Sequence, residues 1–232
     1  MEHFDFYNES QAIINPKDFI SSSPVPETFV LFFFSSSFQN SLKEKKRWPG
    51  FPPDYYQFNN IGIKRLPMGA AMSALTLELL IESGAKKFIV IGTACSLKKN
   101  LMPSTPVLIT SAIREEGVSY HYFPYSRIIK NTSSQDKVLQ QFLNIPDVQS
   151  YTTSAFFRET EEKILKIIQE GSAVIEMEAA SLIAVAKFRK VNLSIIAFIS
   201  DSIINLKWEQ HNRDYKNENK MIKKIIDFAC QL

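Results

Sequence analysis

Cysteine, glycine and histidine are scarce in this chain of 232 residues, which holds 2 cysteines, 7 glycines and 3 histidines. Two cysteines make neither a disulfide framework nor a zinc set, so we expect a reducing, cytoplasmic environment. Long apolar runs are absent as well, because the longest, residues 29–34, is about a third of a membrane span. The acidic start, Met1-Glu2-His3-Phe4-Asp5, has no apolar signal region, so we expect no export and no membrane partner.

Net charge is also small, since 27 lysines and arginines stand against 24 aspartates and glutamates, a balance of +3. A nucleic-acid-binding protein normally carries a clustered basic face, so no nucleic-acid partner is expected. The one notable basic run consists of Lys43, Lys45, Lys46 and Arg47. It is predicted to be a solvated loop, with an anion-contacting loop as the alternative.

Apolar runs of strand length alternate with segments of helical period, which predicts an α/β fold with a largely parallel sheet. The predicted strands are residues 29–34, 88–91, 106–113 and 194–200, with a short apolar segment at 173–175. The predicted helices are residues 73–83, 158–170, 179–188, an amphipathic stretch from 218 onward, and a polar stretch ending at 47. Residues 48–60 and 114–135 are predicted to be loops.

Two carboxylates flank a methionine in Glu176-Met177-Glu178, where the short apolar segment gives way to a helix. Ligands of open α/β sheets bind at the carboxyl ends of strands, and a helix N-terminus favours negative charge there. These acids are therefore candidates for a binding site. The alternative is that both are ordinary first-turn acids that stabilise the helix dipole.

Asp201 follows a strongly apolar predicted strand, in Ile199-Ser200-Asp201-Ser202. A carboxyl at such a position is poorly hydrated on one side, which raises its pKa and suits it to donate a proton. The alternative is an aspartate that caps a helix or forms a turn.

Together, Glu176-Met177-Glu178-Ala179-Ala180 and Ser200-Asp201 resemble the signature of the nucleoside phosphorylase and nucleosidase superfamily, which includes purine nucleoside and uridine phosphorylases. Residues 69–97, 114–122 and 151–160 also resemble family segments in order and spacing. The resemblance covers roughly residues 60–205. It implies one phosphorylase-like domain over residues 1–232, with a three-layer α/β/α fold around a central mixed sheet.

The resemblance also implies roles for individual residues. Glu178 and Met177 would hold the ribose, with Glu176 beside them as a further substrate-binding residue. Asp201 would be catalytic and would protonate or hydrogen-bond the purine leaving group. Phe156 would stack on the base, although its own composition-based interpretation is core packing. Thr93 would contact phosphate, and neither a metal nor a cofactor is implied.

Three departures from the family pattern concern phosphate. The first predicted strand runs into Ser35-Ser36-Ser37-Phe38 without the family's glycine-containing phosphate loop. Val90 stands where the phosphorylases have arginine, whose charged bidentate donors valine cannot replace. Cys95 replaces a turn glycine and is predicted to be a small buried side chain rather than a nucleophile.

The sequence therefore predicts cleavage of the N-glycosidic bond of a purine nucleoside, with phosphorolysis ranked first because the central motifs resemble phosphorylases. Hydrolysis by water is the alternative, and a non-catalytic nucleoside-binding protein is the second alternative. The partners expected are a nucleoside, phosphate and further copies of the chain, in a dimer or hexamer. His3 and the basic run at 43–47 are the candidates for reaching a neighbouring subunit's site.

Overall fold

The computed structural model describes residues 6–20, 25–34, 45–48 and 54–232, and within them eleven strands form one sheet. The strands are β1 (Thr28–Phe32), β2 (Lys45–Arg47), β3 (Asp54–Phe58), β4 (Ile61–Arg65), β5 (Lys87–Ser96), β6 (Pro106–Glu115), β7 (Ile128–Lys130), β8 (Asp147–Thr153), β9 (Val174–Glu176), β10 (Asn192–Ile204) and β11 (Lys207–Gln210). The α-helices are α1 (Ala70–Glu82), α2 (Asp136–Leu143), α3 (Glu161–Gln169), α4 (Ala179–Arg189) and α5 (Tyr215–Ala229). Short 3₁₀ helices lie at Pro16–Phe19, Ser119–His121 and Phe156–Arg158.

The sheet is mixed. β1 runs parallel to β4 and β5, and β5 runs parallel to β10. β10 is antiparallel to β6 and β11, while β9 is parallel to β8 and antiparallel to β5. Because β10 pairs with both β5 and β6, the strands β10, β6, β8, β9 and β5 close into a ring. This closure brings the carboxyl ends of β5 and β10 next to β9.

Side-chain alternation along β1 explains the three layers, because successive residues of a strand point to opposite faces. Phe29 and Leu31 pack in the core cluster that contains helices α1 and α4. Val30 and Phe32 pack in the cluster that contains α2 and α5. All four side chains are fully buried. The sheet therefore lies between two pairs of helices.

The α/β class, the central mixed sheet and the flanking helices are confirmed. The predicted helix at 73–83 begins three residues earlier, at Ala70, and the helix predicted at 158–170 begins only at Glu161. The amphipathic closing helix is also present as α5. No helix among the described residues is both long and apolar enough to cross a membrane.

Several local predictions were wrong. Residues 45–47, predicted to end a polar helix and to belong to a basic loop, form strand β2 instead, in which Lys46 and Arg47 are exposed. The loop predicted at 48–60 contains β3, and the loop predicted at 114–135 contains β7. Pairing with neighbouring strands stabilises these short segments, and such pairing leaves no periodic signal in the sequence. His3, Lys43 and the serines at 35–37 lie outside the described residues.

Two strands run further than predicted. β5 continues from the apolar run at 88–91 through Gly92 to Ser96, where a turn was expected. β10 extends to Ile204, so Asp201 lies inside a strand rather than beyond its end. The register of β10 against β5 shifts between Ile199 and Asp201, which marks a bulge. Bulges re-aim side chains, and this one lies where Asp201 enters the site described next.

Candidate active site

A cavity of about 340 Å³ lies where β5, β9 and β10 meet the N-terminus of α4. Thr93, Phe156, Glu176, Met177, Glu178 and Asp201, the six candidates chosen from the sequence, all line it. Strand ends and a helix N-terminus thus bring together residues that are more than 100 positions apart in the chain. The volume falls in the range of small-molecule sites, which begins at about 300 Å³.

The buried Glu176 carboxylate is occupied by donors of its own chain. Oε1 accepts hydrogen bonds from the hydroxyls of Ser150, at 3.0 Å, and Thr152. Oε2 accepts from the backbone N–H groups of Glu178 and Ala179, at 2.7 and 2.6 Å. Burial raises the pKa of Glu176, and these four hydrogen bonds oppose that shift. Glu176 therefore caps α4 and holds the turn, which agrees with the helix-terminus alternative and leaves it a positioning role beside the cavity.

Glu178 is far less engaged. Its Oε1 accepts one hydrogen bond from the backbone N–H of Gly69, at 2.7 Å, and only 8% of the residue is exposed. Burial, followed by the nearby Glu176 charge, raises the pKa of Glu178 to about 7. A buried carboxylate with spare acceptor capacity is suited to accept hydrogen bonds from hydroxyl groups of a ligand.

Phe156 is not a core residue. It lies in the 3₁₀ turn after β8 with 46% of its surface exposed, and its ring meets that of Phe157 edge to face at 5.1 Å. The interpretation as core packing was therefore wrong. An exposed aromatic ring at a cavity wall offers a flat apolar surface for a planar base.

Asp201 accepts two hydrogen bonds, one on each oxygen. Ser200 Oγ donates to Oδ1 at 2.6 Å, and the indole Nε1 of Trp208 donates to Oδ2 at 2.8 Å. Trp208 lies on β11, which pairs with β10 and also lines the cavity. Cys95, opposite Asp201 in the β5–β10 register, is buried, and burial followed by the Asp201 charge raises the pKa of its thiol. A thiol that resists ionisation is a poor nucleophile.

Sequence reasoning missed Glu159, Trp208 and Phe33, which also line the cavity. Glu159 belongs to the segment 151–160 that resembled the family, so its position beside Phe156 was the available signal. Trp208 carried no signal, because β11 was not predicted. Phe33 was assigned to a strand, and the cavity lies just past the end of that strand.

The charge of the cavity wall is entirely acidic among the described residues. Glu159, Glu176, Glu178 and Asp201 line it, and no lysine, arginine or histidine of that part of the chain does. Phe33 and Val90 are apolar lining residues, and the fully buried Val90 occupies the position in β5 where the phosphorylase pattern has arginine. The described residues also contain no group of three or more histidine, cysteine, aspartate or glutamate side chains placed to hold a metal ion.

The family model described as the phosphorylase superfamily matches residues 53–232, which is more than half of the chain. The chain belongs to this superfamily, and it is an enzyme of the nucleoside phosphorylase or nucleosidase type. The family resemblance drawn from the sequence is confirmed.

Individual relatives include both reaction types. The chain is 26% identical over 188 residues to a DeoD-type purine nucleoside phosphorylase from Exiguobacterium sp., covering 76% of this chain and 78% of that protein. Its fold matches a purine nucleoside phosphorylase from Toxoplasma gondii with a TM-score of 0.73 at 18% identity, over 89% and 90% of the two chains. It also matches a 5′-methylthioadenosine/S-adenosyl homocysteine nucleosidase from Campylobacter jejuni with a TM-score of 0.67 at 19% identity, over 88% and 95%.

Proposed function

We propose that this enzyme hydrolyses the N-glycosidic bond of a purine nucleoside, with water as the nucleophile. The observation that carries this proposal is the acidic cavity wall, in which the described residues supply four carboxylates and no cationic side chain. A phosphate dianion beside these carboxylates would meet repulsion that no cationic side chain of the described cavity lining offsets. Water carries no charge and avoids this cost. This reverses the order of the two reactions that the sequence alone suggested.

The same carboxylates suit the chemistry of bond cleavage. As the C1′–N9 bond breaks, positive charge develops on the ribose and negative charge on the base. Glu178 would accept hydrogen bonds from ribose hydroxyls and place its negative charge near the developing cation, with Met177 packing against the sugar. Phe156 would stack on the base, and Asp201 would lie at the base edge. Thr93 would face the nucleophile side of the ribose.

Phosphorolysis is the second candidate, and the similarity to a DeoD-type purine nucleoside phosphorylase favours it. Arginine at the position of Val90 would supply a charged hydrogen-bonding partner, and one such partner contributes roughly 1.5–3 kcal/mol. Its absence would weaken phosphate binding by a factor of about 10 to 150. Phosphorolysis would then require unusually high phosphate concentrations.

Product analysis tests the choice between these reactions. The purified protein is incubated with adenosine, inosine, guanosine and uridine in phosphate-free buffer and in buffer with about 50 mM phosphate. This concentration would saturate a site that binds phosphate with a Kd of roughly 1 mM. We expect free ribose in both buffers at equal rates. Ribose 1-phosphate as the product, with saturation at low phosphate, would contradict hydrolysis. Binding of nucleosides without turnover would make the chain a non-catalytic member of the family.

We also propose that the enzyme is a homodimer, with α1 in the interface. Met68, Met72 and Leu75 lie at or near the solvent face of α1, and Met68 is 73% exposed although it lines the cavity. A second copy packed on this face would bury these side chains and cover the cavity entrance, and twofold dimers are the commonest assembly. Light scattering at micromolar concentration should give twice the chain mass. A monomeric mass in an active preparation would contradict the proposal.

A further inference from the structure

Among the described cavity carboxylates, Glu159 is the one that neither caps a helix nor has a role predicted from the sequence. It directly follows the 3₁₀ turn Phe156–Arg158 and lines the same cavity as Phe156. Its Oε1 is buried and has no hydrogen-bond partner in the part of the chain that the structure describes. Buried polar atoms in folded proteins are nearly always paired, so an unpaired atom at a cavity wall marks a place where a ligand supplies the partner.

The groups around Glu159 determine its charge. Asp201 on β10 and Glu115 on β6 are both negative and disfavour ionisation of Glu159. Lys163 on α3 favours it, but Lys163 is already paired with Glu115, with Nζ and Oε1 2.9 Å apart. Burial is the largest influence, and together these effects raise the pKa of Glu159 to about 7. Near neutral pH, Glu159 therefore retains its proton in a large share of molecules.

Asp201 differs from Glu159 in its hydrogen bonding. Both of its oxygens already accept hydrogen bonds, one from the Ser200 hydroxyl and one from the Trp208 indole N–H, which can only donate. Asp201 is thus arranged as an acceptor, whereas Glu159 is arranged as a donor. Asp201 as the acceptor and Glu159 as the donor lie at the end of the cavity that holds Phe156. Together they complement a purine edge on which an N–H group lies next to an unprotonated ring nitrogen.

We propose that Glu159 donates the proton to the leaving purine base, while Asp201 accepts a hydrogen bond from a neighbouring N–H of that base. This inference rests on the proposed function. It assigns proton donation to a residue other than the aspartate expected from the sequence. It also favours 6-aminopurine nucleosides over 6-oxopurine nucleosides, because the 6-oxo group would place a second acceptor against the Asp201 carboxylate.

The C1′–N9 bond breaks and its electron pair moves onto the base, while the Glu159 proton passes to the ring nitrogen N7. A C1′–O bond forms with water, which then releases one proton to solvent. Glu159 regains a proton from solvent, so that one nucleoside and one water give one free base and one ribose.

The test compares Glu159→Gln with Glu162→Gln, a matched control on the exposed first turn of α3 outside the cavity lining. Glutamine keeps the size of the side chain but cannot transfer a proton. We expect kcat/KM for adenosine to fall by about 10²-fold in Glu159→Gln and to stay unchanged in Glu162→Gln. In the wild-type enzyme the rate should decline above pH 7, and the variant should lose this decline.

A substrate with a leaving group that needs no proton separates donation from a structural effect. Hydrolysis of 4-nitrophenyl β-D-riboside, whose phenolate leaves readily, should change less than about threefold in Glu159→Gln. Equal losses on adenosine and on the nitrophenyl riboside would overturn the assignment. An unchanged adenosine rate or pH profile in Glu159→Gln would overturn it as well, while leaving the proposed hydrolysis intact.

Adenine binding tests the inference even if the wild-type chain turns over no nucleoside. Missing turnover would contradict the proposed hydrolysis but not the roles of Glu159 and Asp201 in binding the base. A donor with a pKa of about 7 loses about nine-tenths of its protonated form between pH 6 and pH 8. Calorimetry should therefore show adenine binding about tenfold more tightly at pH 6 than at pH 8 in the wild type, with no such difference in Glu159→Gln. The same pH dependence in both proteins, or no adenine binding, would contradict the inference.

Discussion

Replacing Glu178 with glutamine should make the protein more stable and less active at the same time. The side chain is 8% exposed and its carboxylate has one hydrogen bond, from the backbone N–H of Gly69. Burial and the neighbouring Glu176 charge raise its pKa from 4.5 to about 7. The ionised form therefore destabilises the folded state, which is the expected cost of keeping a carboxylate ready for a ligand.

The magnitude and sign follow from proton linkage. Between pH 4.5 and pH 7 the folded protein holds the Glu178 proton more tightly than the unfolded chain, so this residue lowers the free energy of unfolding as pH rises through that window. At about 1.4 kcal/mol per pKa unit, the full effect above pH 7 is about 3 kcal/mol. Glutamine removes the charge but accepts the Gly69 hydrogen bond less strongly than a carboxylate, so we expect Glu178→Gln to gain about 1–3 kcal/mol at pH 8.

Urea unfolding of wild type and Glu178→Gln at pH 5 and pH 8 measures this difference, which should be large only at pH 8. The same two proteins are assayed with adenosine and 2′-deoxyadenosine. If Glu178 binds ribose hydroxyls, the variant should lose far more activity on adenosine, because its neutral amide replaces the charge-assisted hydrogen bonds of the carboxylate to the 2′-hydroxyl with weaker ones. A variant less stable than wild type at pH 8, or equal losses on both substrates, would refute the reasoning.

Two further substitutions follow from the hydrogen bonds of the site. Asp201→Asn should lower turnover by a factor of about 10 to 150, because a charged hydrogen-bonding partner of the base is lost. It should also shift the alkaline decline of the rate to lower pH, because the negative charge that raises the pKa of Glu159 is removed. An unchanged pH profile in a correctly folded variant would count against this. Glu176→Ala should lower the free energy of unfolding by about 4 kcal/mol, because alanine leaves two backbone N–H donors at the start of α4 unpaired. Glu176→Gln should lower it by about half as much, because glutamine still accepts from these donors. Equal stability of the two variants in urea titrations would show that these hydrogen bonds do not hold the turn.

Local patterns in the sequence determined the principal elements of the fold. The apolar run that contains Val90 and the one that contains Ile196 are too continuous for a surface strand, and both became buried central strands. The period of Ile222, Ile225 and Ile226 gave α5 its buried face. Acids at the carboxyl ends of such strands were therefore candidates from the sequence, because parallel strands in one sheet bring those ends to a common edge.

Only the tertiary structure decided what the acids do. Glu176 and Glu178 are two residues apart and chemically identical, yet the hydroxyls of Ser150 and Thr152 reach only Glu176. The cavity carboxylates come from segments far apart in the chain, and β6 and β10 place the charges of Glu115 and Asp201 near Glu159, where they raise its pKa. Burial and electrostatic environment depend on three-dimensional distances, and these arise from strand pairings that no local sequence pattern encodes.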